Sequence, residues 1–130
     1  MCLEVYAIPV ANRVGEDSLS KISGLCVQKR NKPIRGAFYF SKGGGCSCSL
    51  MGDDADWNNP IWVLDPEILN GLSRAIKLLS EESESFTFQA LWIGDKPDTE
   101  ERISLKGLLK DILNNKIKNK YIYVVGKAAV

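Results

Sequence analysis

Residues 43–48 read Gly-Gly-Gly-Cys-Ser-Cys, and no other stretch of the chain brings two thiols so close together. Side chains two apart on a strand point the same way. Cys46 and Cys48 would then clamp one soft ion, zinc or Cu(I), because thiolates are strong ligands for both. The glycines would let the backbone bend around it. Cys2 and Cys26 would complete a four-thiolate set if the fold brought them near. The spacing of the four cysteines matches no standard zinc pattern. The same pair could instead work as a redox couple, and a bridge across one residue would be strained and easily reduced. A third reading needs no chemistry. In the alternating run Cys46, Ser47, Cys48, Ser49, Leu50, the cysteines and Leu50 face a core and the serines face water, because cysteine packs as a small hydrophobe.

Asp53, Asp54 and Asp56, followed by Trp57, form a second candidate. Clustered carboxylates bind calcium or magnesium or serve acid–base work. The calcium-loop pattern fails: counted from Asp54, the sixth position is Asn59 and the twelfth is Asp65. A solvated loop with an aromatic anchor suits a protein partner better, since aromatic residues dominate contact energies. Trp62, in an apolar run, reads as core.

The chain has no histidine. That excludes an internal Ser-His-Asp triad, a Cys-His dyad and every imidazole zinc site. A basic run, Lys29, Arg30, Lys32 and Arg35, precedes Phe38, Tyr39 and Phe40. Cations beside rings suit single-stranded nucleic acid, but the net charge is only +1 and no nucleic-acid motif is present. Phosphate-loop and dinucleotide patterns are absent too.

These residues sit in a chain of 130 residues, 45% hydrophobic and 25% charged. That is one globular domain, residues 1–130, long enough to bury a core. No apolar run spans a bilayer, and the N-terminus lacks the basic region of a secretory signal. The expected place is the cytoplasm, where thiols stay reduced. Charge is uneven. Residues 43–104 carry twelve acidic and four basic groups, whereas residues 105–130 carry six basic and one acidic.

The elements that must position these residues follow from periodicity. Residues 2–8 alternate as a strand, with Leu3, Val5 and Ala7 on one face. Residues 15–33 are ambiguous: Asp17, Ser18 and Leu19 could open a short helix through Ile22 and Leu25, while Leu25, Cys26 and Val27 could be a strand. Residues 34–41 read as a strand, and residues 46–50 as another. Asp65 and Pro66 open a helix with the stripe Ile68, Leu69, Leu72, Ala75, Ile76 and Leu79. Ser104 opens another, with Leu105, Leu108, Leu109, Ile112 and Leu113. A strand follows each, with Phe86, Phe88, Ala90 and Trp92 in one and residues 121–125 in the other.

The two helix–strand units align at an offset of 36 residues, matching Gly71 with Gly107 and Phe86 with Ile122, as a duplication would. The glycines would let each helix approach the sheet. The expected fold is α+β: a two-layer domain with a mixed sheet of four to five strands and two main helices on one face, in the order βββαβαβ.

With no catalytic motif, the expected function is non-enzymatic. A small inhibitor-, immunity- or adaptor-like domain would meet a basic protein partner through Asp53, Asp54, Asp56 and Trp57. The alternative is a thiol protein built on Cys46 and Cys48. No cofactor is expected on the first reading, and zinc or Cu(I) on the second.

Overall fold

The computed structural model describes residues 3–32, 34–44, 46–52 and 60–126. Cys2 and the acidic run with Trp57 lie outside them. The elements are β1 (Leu3–Val10), α1 (Glu16–Ser23), β2 (Cys26–Arg30), β3 (Ala37–Ser41), α2 (Leu69–Glu81), β4 (Ser85–Trp92), β5 (Thr99–Arg102), α3 (Leu105–Leu113) and β6 (Tyr121–Val125). Single 3-10 turns occupy Ser47–Leu50 and Pro66–Ile68.

The strands form one six-stranded sheet in the order β2-β3-β1-β4-β6-β5. Only β5 and β6 run parallel. The α+β class and the mixed sheet are as expected, and the counts are higher. The ambiguous stretch at residues 15–33 makes both elements rather than one. Gly24, at φ 71°, ends α1 in the left-handed conformation and turns the chain into β2. The four-residue β5, whose residues are Thr, Glu, Glu and Arg, has no apolar alternation to betray it. Its charges suit an exposed sheet edge.

The opposite edge, β2, is closed by α1. The Ser20 hydroxyl accepts from the Val27 amide at 2.9 Å, and a Glu16 carboxylate oxygen accepts from the Lys29 amide at 2.6 Å.

The expected strand at residues 46–50 is a 3-10 turn instead. Three residues per turn put Ser47 and Leu50 on one side, and both are buried.

The helices cover one face of the sheet. Leu19 of α1, Leu72 and Ile76 of α2, and Leu108 and Ile112 of α3 share a core with Val5, Phe40, Phe88 and Tyr123. The stripe expected on α2 is buried throughout. Asp65 caps the 3-10 turn Pro66–Ile68 that leads into α2, accepting from the Glu67 amide at 3.0 Å. Trp62 is core as expected, and its indole N–H donates to the Ala90 carbonyl at 2.9 Å. The other face holds a smaller cluster of Tyr6, Ala37 and Tyr39 with Ile8 and Ile34, and no helix residue belongs to it.

The duplication does not survive the register. Phe86 and Phe88 point into the core, as do Tyr123 and Val125. The 36-residue offset would match Phe86 and Phe88 with Ile122 and Val124, which are only partly buried and alternate with the core pair. Gly71 does admit a close approach, but by α1 and not by the sheet: a Cβ there would stand 2.1 Å from the Ser23 carbonyl oxygen.

Candidate functional site

The thiol turn is fixed by the residue between the cysteines. Strands β1 and β3 pair at Tyr6 with Tyr39 and Ala7 with Phe38. Towards the start of β1 the turn takes over as partner. The Ser47 hydroxyl accepts from the Val5 amide at 2.9 Å and donates to the Phe40 carbonyl at 2.5 Å. The Cys48 sulfur accepts from the Leu3 amide at 3.1 Å. Side chains thus replace a strand for the amides of Leu3 and Val5, because a buried amide needs an acceptor.

The geometry separates the two thiols. Cys48 is half-buried and packs against the main core, whereas Cys46 is exposed. The expectation that both point inward from a strand, with Ser47 outward, is corrected: Ser47 is the buried one, at 3% exposure. Cys46 lines a small pocket of about 100 Å³ with Glu4, Arg30, Tyr39, Ser47 and Ile93. The Arg30 guanidinium lies 4.5 Å from the Tyr39 ring centroid. Cys26 stands on β2 opposite Ser41 and is half-buried. Among the described residues, no three Cys, Asp or Glu side chains gather into a group that could hold a metal ion.

The tyrosines of the second face are locked in. Tyr6 and Tyr39 stack with centroids 5.0 Å apart. Burial first, then Tyr39 and Glu4, pushes the Tyr6 phenol up to about 12. Phe38, Tyr39 and Phe40 are all buried, so these rings offer no platform for bases.

Both flanks of the acidic run are anchored. The Gly52 amide donates to the Val63 carbonyl at 2.9 Å, and the Asn119 amide donates to the Pro60 carbonyl at 2.7 Å. Asn115 holds the segment that follows the run, at Leu64. Its side-chain carbonyl accepts from the Leu64 amide and its side-chain amide donates to the Leu64 carbonyl, both at 2.9 Å.

The third surface is α3, whose start is fixed by the expected cap: the Ser104 hydroxyl accepts from the Gly107 amide at 3.0 Å. Leu108 and Ile112 are fully buried, Leu105 and Leu109 are half-buried, and Leu113 is 48% exposed. Leu105, Leu109 and Leu113 line a shallow groove of about 520 Å³ with Lys106, Lys110 and Asn114. A second groove of about 370 Å³ continues past Leu105 to Phe86 and Val125.

Sequence reading put all five apolar residues of α3 on one core stripe; four of them are in the core or packed against it, and Leu113 is the exposed exception. The signal was there. At about 100° per residue they span roughly 140°, wider than the stripe one buried face needs.

Comparison with protein-family models, with curated proteins and with solved structures gives no match for this chain. No helix among the described residues is long and apolar enough to cross a membrane.

Proposed function

We propose that the chain is a non-enzymatic, protein-binding domain and that the outer row of α3 is a contact face. One observation carries this. Leu108 and Ile112 are fully buried, Leu105 and Leu109 pack half-buried against the same core, and their outer edges continue into the 48%-exposed Leu113 to form an accessible apolar row. Accessible apolar surface rimmed by charge suits a contact with another protein. The test uses the intact protein and its Leu113→Glu variant as affinity baits, with captured proteins quantified by mass spectrometry. The proposal expects partners held by the parent and lost from an equally stable variant. Identical captured sets would refute it.

The acidic run Asp53, Asp54 and Asp56 with Trp57 is proposed as a second contact, for a basic partner. Reversing the three acidic charges tests it, and unchanged capture would remove the run from the reading.

The alternative, a zinc, Cu(I) or redox thiol protein using Cys46 and Cys48, is favoured by one observation. Cys46 is exposed and lines a small pocket with Arg30 and Glu4, so its thiol is accessible to a metal ion or an oxidant. Native mass spectrometry of freshly purified protein decides. Bound metal, or a bridge that cycles with mild reductant, would put this alternative first.

A further inference from the structure

We propose that the α3 groove receives an acidic amphipathic helix from a partner protein, an inference that rests on reading the outer row of α3 as a contact face. Leu105, Leu109 and Leu113 lie four apart and form one ridge along the helix. A facing helix seats its own i, i+4 row beside such a ridge. A helix has no unpaired backbone edge along its length, so strand addition is not the mode this surface offers. The nine residues of α3 span about 13 Å, enough for two to three turns of a partner.

Charge identifies the partner. Counted around the helix, Lys106 and Lys110 follow directly beyond Leu113, whereas Asp111 falls beyond Leu108 on the far side of the core stripe. Both lysines are exposed and line the groove. The ion pairs among the described residues are Arg13 with Glu82, Lys42 with Asp65 and Lys118 with Glu101, so neither groove lysine is in one. Lys106 and Lys110 are also neighbours at i and i+4, where like charges repel. Carboxylates on the partner would relieve that repulsion.

The probe is a synthetic peptide of about five helical turns, with leucines at i, i+4 and i+8 flanked by glutamates. A matched peptide carries lysines in place of the glutamates. Each is titrated into the full chain, with amide shifts followed by NMR and affinity by fluorescence anisotropy. The glutamate peptide should shift amides of residues 104–114 and weaken with added salt. It should bind at least about tenfold more tightly than the lysine peptide. Lys106→Glu with Lys110→Glu should reverse that preference.

Equal binding of both peptides at α3 would overturn the acidic assignment and leave the contact face standing. No α3 shifts with either peptide would overturn both. Concentration-dependent self-association abolished by Leu113→Glu would make a second copy of this chain the occupant. Binding to vesicles of anionic phospholipid, with no response to the peptides, would make the surface a membrane contact. Either outcome sinks the proposal.

Discussion

The Ser47 hydroxyl accepts from the Val5 amide at 2.9 Å and donates to the Phe40 carbonyl at 2.5 Å, joining two strands where their own pairing stops. Ser47→Ala would leave a buried donor and a buried acceptor unsatisfied, at about 1–3 kcal/mol. Urea unfolding should show a loss of that size. A loss within error would mean that water or a backbone shift replaces the hydroxyl.

That serine also marks what the sequence could and could not disclose. Strict alternation from Cys46 to Leu50 is a valid strand signal. The same five residues fit a 3-10 turn when the chain must supply side-chain acceptors to β1, and only the long-range partners Val5 and Phe40 decide between the two. Local pattern was sufficient where one element buries one stripe, as in α2 with Leu69, Leu72, Ile76 and Leu79, all buried as expected. It failed for β5, which is held by pairing with β6 rather than by apolar side chains.

Gly71 and Gly107 look equivalent in sequence and are not so in space. A Cβ at Gly71 would meet the Ser23 carbonyl oxygen at 2.1 Å, and backbone there cannot yield without moving α1. Gly71→Ala should therefore destabilise by about 1–3 kcal/mol, despite a gain of about 1 kcal/mol in helix propensity. At Gly107 the nearest atom is the flexible Ile103 side chain at 2.9 Å. Gly107→Ala should cost markedly less. Equal effects would contradict the close packing of α1 on α2.

Alkaline pH should unfold the protein through its phenols. Burial pushes Tyr6 and Tyr123 each up to about 12. An unfolded phenol titrates near 10, so the folded chain holds these protons more tightly. Their contribution is whole below about pH 10 and is lost as pH rises towards 12. Phenolate absorbance should show these two rings titrating together with unfolding. Titration of both near pH 10 in a still-folded protein would contradict their burial.

The two rows of α3 should separate by stability. Leu108→Ala removes a fully buried side chain and should cost about 2–5 kcal/mol. Leu113→Ala, at a 48%-exposed position, should stay within about 0.5 kcal/mol. Comparable losses would mean that Leu113 is held by the fold and is not a spare contact.

The contact face itself is tested most directly by placing a photoreactive phenylalanine analogue at position 110 of the intact chain in living cells. The same analogue at the exposed Lys77 of α2 serves as control. A protein-binding α3 predicts a discrete adduct with another protein from position 110, absent from position 77 and abolished by adding Leu113→Glu. No adduct from position 110, or one that persists with Leu113→Glu, would contradict the account.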